Sequence, residues 1–265
     1  MTRSKAVTTV AGGTKALSAL DAELANEVAN LKQQIGMPGG KAIKINPTGS
    51  FTSPEGFDLG TEIQIVVLDF ITAHRFYPGA YVEGNPEPPV CYALGRNIVD
   101  LKPEADSPQV QHTDCATCPL NVFGTGSNGK SKACKNTREL AVLLIDPNDS
   151  EALASPKSTI YTMSIAPNSL KFFDGFVSTV MRSLGPPIKA IVTVLGEPKG
   201  TYAATSFVDP VPNPYYAQHA ARRVECQDLL FRKPDFAAYA ARQSTRPVAR
   251  RVAAKPVRVA AGARR

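Results

Sequence analysis

Short runs rich in Ile, Val, Tyr and Thr dominate the chain between residues 41 and 208. Clusters of Gly, Pro, Asn and Asp separate these runs, and this alternation is typical of β-strands joined by turns. The pattern predicts strands at 41–46, 62–72, 89–94, 140–146, 159–165, 188–195 and 201–208. We therefore expect a mainly β (α+β) protein.

Apolar residues at steps of three and four predict three helices, at 16–35, 168–184 and 214–232. In the second helix the aromatic stripe that includes Phe172, Phe173 and Phe176 is expected to pack on the sheet. In the third helix the residues expected to face inward are Ala217, Ala220, Ala221, Val224, Leu229 and Leu230.

Charge is distributed unevenly. The formal net charge is +7, but residues 241–265 carry eight Arg or Lys and no acid. The remaining 22 basic and 23 acidic side chains leave the body near neutrality. Because the tail has no apolar periodicity, it buries too little surface to offset the entropy of ordering, and we predict disorder there.

The expected organisation has three parts. Residues 1–40 are a mobile segment and a helix, 41–240 are the folded domain, and 241–265 are the basic tail. No run approaches the roughly 18–20 apolar residues of a membrane span, and no signal-peptide core follows the basic start. We therefore predict a cytoplasmic protein, in which cysteines favour metals over disulfides.

Four of the five cysteines follow the spacing Cys-x23-Cys-x2-Cys-x15-Cys, from Cys91 to Cys134. The two residues between Cys115 and Cys118 let both thiolates face one tetrahedral ion at about 2.3 Å. Glycines after this pair favour a short ribbon that returns the chain to Cys134. The spacing predicts one structural Zn²⁺ bound by these four cysteines, with iron as the less favoured metal.

The sequence also allows other roles for these residues. Buried small hydrophobes are one, and a redox dithiol at Cys115 and Cys118 is another, although Pro-Leu-Asn-Val follows where such a motif would open a helix. His112 is a candidate substitute ligand. Cys226, on the apolar face of a predicted helix, is expected in the core.

No catalytic motif is present in the sequence. It lacks a Gly-x4-Gly-Lys-Ser/Thr loop and the zinc-deaminase signature, and its three histidines lie in unrelated segments. Asp69 and Asp174 are the acids that a metal-dependent nuclease would use, although a structural role is favoured for each. We expect no enzymatic activity and no catalytic residues.

Basic and aromatic residues alternate around the cysteines. Single-strand binding needs cations for phosphates and flat side chains for unstacked bases. As a group, the candidate contacts are Arg75, Phe76, Tyr77, Tyr81, Tyr92, Arg96, Phe123, Lys130, Lys132, Lys135 and Arg138. For any one of them, a core position or a solvated face is the simpler alternative.

The run VVLDFITAHRFYPGAYVEGNPEPPVCYALG at 66–95, followed by CATCPLNVFG at 115–124 and GKSKACKNTR at 129–138, resembles tailed-bacteriophage proteins with a zinc-ribbon insertion. In plan the chain is similar to phage single-stranded DNA-binding proteins. The resemblance covers roughly residues 60–145. It implies an OB-like barrel with a zinc ribbon inserted at 91–138. It also implies a role in replication or recombination in the host cytoplasm, without catalysis.

One departure from that family concerns the C-terminus. Such binders usually end in an acidic tail that recruits replication proteins, whereas this chain ends in eight cations. The basic tail is expected either to add phosphate contacts or to attract polyanions weakly. The alternative functions are a zinc ribbon that grips a protein such as a polymerase subunit, and a metal-dependent nuclease.

Overall fold

The computed structural model describes residues 41–79, 87–146 and 158–237. Within them the strands are β1 (Ala42–Ile45), β2 (Phe51–Thr52), β3 (Glu62–Phe76), β4 (Cys91–Gly95), β5 (Cys134–Ile145), β6 (Tyr161–Ile165), β7 (Ala190–Pro198) and β8 (Ala203–Pro212). The helices are α1 (Leu170–Ser183), α2 (Tyr216–Ala221) and α3 (Cys226–Leu230). The predicted mainly β class is confirmed. The helix predicted at 16–35, the tail and Tyr81 lie outside the described residues.

The strands form one sheet in the order β2-β1-β6-β5-β3-β7-β8, with β4 as a further neighbour of β3. The long strand β3 is the spine of this sheet. One side of β3 pairs with β5, while the other side pairs first with β7 and then with β4. Its near-continuous apolar run at 65–68 suits this position, because both faces of β3 are buried.

Helix α1 covers one face of the sheet, which we call the inner face. Its buried residues Phe173, Phe176 and Val180 recur at helical spacing, and the ring centroids of Phe70 and Phe173 lie 5.1 Å apart. Burial of each such side chain contributes about 1.5–3 kcal/mol. The prediction for Phe172 is wrong: it is 40% exposed, because one residue of helix rotates it by about 100° from Phe173 and away from the sheet.

The segment 213–237 covers the opposite, outer face. The continuous helix predicted at 214–232 is wrong, because a 3₁₀ turn at Arg222–Glu225 separates α2 from α3. The inward face nevertheless keeps helical spacing, because the buried residues His219, Cys226 and Leu230 recur at steps of seven and four. The expected core position of Cys226 is therefore confirmed. Val224, which was expected to be buried, is 78% exposed.

The sheet curls into a half-barrel. Gly49, in the turn between β1 and β2, touches Gly196 of β7, although β1 and β7 are separated by three strands. A Cβ atom on Gly196 would overlap the Gly49 carbonyl oxygen. The amide of Gly196 also donates to the Thr61 carbonyl at 2.8 Å. These glycines let two distant parts of the sheet meet.

Strands β3 and β5 extend further than predicted, to Phe76 and back to Cys134. Polar residues continue the ladder because they pair across the outer face, where Arg75 Nη1 lies 2.5 Å from Glu139 Oε1. Cys91, the first residue of β4, and Cys134, the first residue of β5, therefore belong to the sheet. The segment between β4 and β5, residues 96–133, is called the cysteine arm below.

Candidate functional site

Two cysteines lie in one row at the end of β3. Phe76 pairs with Cys91 on β4 and with Cys134 on β5. Register partners place their side chains on the same face, so both cysteines project with Phe76 from the inner face. His74, two residues earlier, projects from that face as well.

The cysteine arm brings the other two cysteines over this row. The buried Cys115 donates its amide to the Leu101 carbonyl at 3.1 Å, and Asn121 Nδ2 donates to the Cys115 carbonyl at 2.8 Å. A 3₁₀ turn at Pro119–Asn121 follows Cys118 directly. This turn fits the tight knuckle that the Cys-x2-Cys spacing predicts.

One small cavity collects the candidate ligands. Its lining includes Cys91, Cys115, Cys118, Cys134, His74 and His112, together with Phe76, Tyr92 and Leu120. The cavity volume is about 20 Å³. That volume holds about one water-sized sphere, so the space suits a single ion.

The ligand geometry is open rather than closed. In the described ranges, no three His, Cys, Asp or Glu side chains already form a complete ligand group. Neighbouring strands lie about 4.8 Å apart, so Cys91 and Cys134 are separated by roughly 10 Å with Phe76 between them. That value is the backbone separation, and two sulfur atoms at about 2.3 Å from one tetrahedral ion lie about 3.8 Å apart, so both side chains would have to lean toward each other over Phe76.

Electrostatics link the thiols. Burial, and then the neighbouring thiols with Cys134 first, raise the pKa of Cys115 to about 12. Burial, followed by Cys118 and Cys91, raises the pKa of Cys134 to about 11. A bound cation would reverse this preference, because it favours the thiolate. The donor chemistry therefore fits zinc, although the spacing does not yet form a tetrahedron.

His74 is the site residue that sequence reasoning missed as a candidate ligand. Its side chain is buried, and neither ring nitrogen has a hydrogen-bond partner among the described residues. Burial, and then the charges of Lys132 and Arg138, lower the pKa of His74 to about 4. The ring is therefore neutral at pH 7, and a neutral imidazole nitrogen can bind a metal. No local motif marks it, because strand register places it here.

An aromatic–cation pair lies on the exposed surface of the arm. Phe123 is 75% exposed, and the Lys132 ammonium lies 5.1 Å from the centroid of its ring. Lys132 Nζ also donates to Asn121 Oδ1 at 3.1 Å, which ties the cation to the turn after Cys118. The described surface thus combines a flat apolar side chain with a positioned positive charge.

The remaining candidate contacts do not share one surface. Arg75 and Lys135 are register partners and project from the outer face, whereas Arg138 projects from the inner face. Lys130 and Lys135 are exposed, and Tyr77 is 36% exposed at the edge.

Some candidate contacts are structural residues. Tyr92 is wrong as a stacking residue, since its side chain is 1% exposed and its hydroxyl donates to Asp106 Oδ1. Phe76 lines the cysteine cavity. Arg96 pairs with Asp69 at 2.7 Å, and Arg138 pairs with Asp174 at 3.3 Å.

The two acids considered for nuclease chemistry lie on opposite faces. Asp69 is buried beneath the outer-face segment, where Arg96 and Arg223 bind its carboxylate at 2.7 and 3.4 Å. Asp174 belongs to α1 on the inner face and pairs with Arg138. The sheet between them prevents both carboxylates from binding the same metal ion.

None of the helices in the described part of the chain is long and apolar enough to cross a membrane. No protein-family model, no curated protein and no solved structure matches this chain.

Proposed function

We propose that this chain binds single-stranded DNA through the cysteine arm, with little sequence preference and without catalysis. The observation that supports this most directly is the exposed Phe123 ring with Lys132 at 5.1 Å. A base stacking on the open side of the ring would bring its phosphate near a cation already held in place. Base–aromatic stacking contributes about 1–3 kcal/mol and tolerates any base.

The proposed contact surface is the arm and its immediate border. It comprises Phe123, Lys130 and Lys132, with Tyr77 and Lys135 at its edge, where Lys135 Nζ donates to the Lys132 carbonyl at 3.2 Å. The resemblance to phage single-strand binders supports this surface. From the same resemblance, we propose that the half-barrel is an OB-type domain. Its proposed role is in replication or recombination in the host cytoplasm.

A structural zinc ion completes the proposal. The arm from 96 to 133 contains little regular structure, and its buried residues are Leu101, Ser107 and Cys115. Zinc bound by thiolates of Cys91, Cys115, Cys118 and Cys134 would tie the arm to β4 and β5. Its chemistry would be structural, since a filled ligand sphere leaves no open position for a substrate.

Titration of the full chain against fluorescent oligo-dT and a matched duplex, at several salt concentrations, tests the proposal. We expect tighter binding to oligo-dT, affinity that falls steeply with salt, and no cleavage in the presence of magnesium. No change in fluorescence with either oligonucleotide would contradict DNA binding and favour a zinc ribbon that binds another protein. Cleavage would favour a nuclease.

A further inference from the structure

We propose that His74 occupies one of the four positions around the metal, and that either Cys91 or Cys134 remains a free thiol in the loaded protein. This inference rests on the zinc component of the proposed function. It changes the ligand set from four sulfurs to three sulfurs and one nitrogen. It also predicts that one cysteine at the site does not bind the metal.

The burial of His74 is the first argument. Its exposure is 3%, and both Nδ1 and Nε2 are without a partner in the described structure. An unpaired buried polar group costs about 1–3 kcal/mol, so such a group normally has a partner. The ring lines the cavity that all four cysteines share. A metal ion there would use one nitrogen directly.

Strand register supplies the second argument. Cys91 and Cys134 flank Phe76 on two different strands, so their backbones are roughly 10 Å apart. A short cysteine side chain reaches less far than an imidazole. One strand cysteine can join Cys115 and Cys118 at the ion without convergence of β4 and β5. His74 then supplies the remaining ligand from the same face of β3.

The alternative partner for His74 is Asn136, its register neighbour on β5. Asn136 Oδ1 is also buried without a partner, so it is the neighbouring acceptor for one ring N–H. That bond would satisfy only one ring nitrogen. Metal ligation by one nitrogen and donation to Asn136 by the other would satisfy both, as metal-bound histidines commonly require.

X-ray absorption at the zinc edge of the full-length wild-type protein tests the ligand set without any variant. We expect three sulfurs at about 2.3 Å and one nitrogen at about 2.0–2.1 Å. Four sulfurs would overturn the inference and leave the zinc site intact. Absence of tightly bound zinc would instead overturn the metal component of the proposed function.

Native alkylation with iodoacetamide, mapped by peptide mass spectrometry, tests the free thiol. We expect modification of either Cys91 or Cys134 with no loss of zinc, while Cys115 and Cys118 stay protected. Protection of both strand cysteines would contradict the inference. Cys226 is fully buried and is expected to remain unmodified until the protein unfolds.

His112 is the matched control because it lines the same cavity. Its Nδ1 already lies 3.1 Å from the Asp114 carbonyl oxygen. His74→Asn should remove the nitrogen signal and replace it with a fourth sulfur or with oxygen, whereas His112→Asn should leave the spectrum unchanged. Loss of the nitrogen signal in His112→Asn alone would assign the ligand to His112 and overturn our assignment.

Discussion

At the residue scale, the proposed base contact is Phe123. A phenylalanine that is 75% exposed gains nothing from burial, yet Lys132 lies over one side of its ring. Cation–π contacts at exposed sites contribute only about 0.5–1 kcal/mol, so the pair is a weak stabiliser of the fold. Under the proposal, the exposed face of the ring contributes to binding rather than to the stability of the fold.

The first prediction concerns this ring. Phe123→Ala should weaken oligo-dT binding by roughly 5- to 150-fold, because one stacked base contributes about 1–3 kcal/mol. Fluorescence anisotropy measures the change. Phe57→Ala is the matched control, since Phe57 is 69% exposed but lies in the loop between β2 and β3, near the opposite end of β3. Equal effects of the two variants would contradict a specific role for Phe123.

A second residue-scale prediction concerns the half-barrel. Gly196→Ala should destabilise the protein by about 1–3 kcal/mol or more, because the new methyl group overlaps the Gly49 backbone. Urea unfolding gives the free energy. Gly175→Ala in α1 is the control, since a Cβ there meets nothing within 4 Å. It should stabilise the helix by up to about 1 kcal/mol, and a similar loss in both variants would contradict the close contact.

At the scale of elements, the two halves of the cysteine arm are held differently. A backbone hydrogen bond from Glu104 to Tyr92, and the Ser107 hydroxyl beside it, tie the first half to β4. Residues 116–133 contain no buried residue, and a 2.9 Å hydrogen bond joins Asn121 to Asn136 on β5. Local opening is easiest where contacts are few. A metal would therefore stabilise the arm more than the sheet.

The third prediction follows from that difference. Cys115→Ser should abolish zinc binding, remove hydrogen-exchange protection from the arm and weaken DNA binding, while the central rows of β3 and β5 stay protected. Zinc sites of this type contribute roughly 10 kcal/mol or more to local folding. Metal analysis and hydrogen exchange measure the outcome. Unchanged zinc content would refute the site, and Cys226→Ala should retain the metal.

The outer-face segment is held by a buried charge. Asp69 follows an irregularity in β3, and its carboxylate binds Arg96 from the arm and Arg223 from the segment before α3. Its side chain is 6% exposed, whereas both arginines are about half exposed. The pairing therefore links three elements at the point where β7 ends and β4 begins along β3.

The fourth prediction tests this link. Asp69→Asn should lower the free energy of unfolding by about 1–3 kcal/mol, the range for a lost buried hydrogen-bond partner. We expect a value near the lower end, because water screens the half-exposed arginines. Asp174→Asn is the control because its side chain is 51% exposed, and it should cost less than about 1 kcal/mol. Urea unfolding that ranks the two variants in the opposite order would contradict the link.

For the whole molecule, charge is distributed unevenly along the sequence. Positions 1–240 are nearly neutral, whereas 241–265 carry eight cations. A nearly neutral body with few cations on its arm offers modest electrostatic attraction. If the tail binds phosphates, most of the salt dependence of oligo-dT affinity should therefore come from the tail.

The fifth prediction is that deletion of 241–265 reduces the slope of log K against log salt for oligo-dT. The slope on single strands is about 0.7 per neutralised phosphate, so eight cations give a decrease of up to about 6. Replacement of all eight by Gln, at full length, should give the same decrease. An unchanged slope in both would show that the tail makes no phosphate contacts.

Much of the fold followed from local pattern. Alternating and continuous apolar runs predicted the strands, and α1 was bounded to within two residues at its start and one at its end. The predicted bounds were wrong where strand pairing or a local change of helix type decided them. The polar start of β5 has no strand pattern, and only its ladder with β3 makes it a strand. The 3₁₀ turn between α2 and α3 likewise has no proline or glycine to mark it.

The sequence by itself determined the strand-rich class, the neutral body with a basic tail, and the cysteine spacing, because these depend on neighbouring residues and composition. Only the tertiary structure brought His74 to the cysteines, buried Tyr92 and placed the two acids on opposite faces. Each of those outcomes depends on strand register, which joins residues such as Phe76 and Cys134 that are far apart in the chain. Register is set by packing of whole faces, and a local pattern does not contain that information.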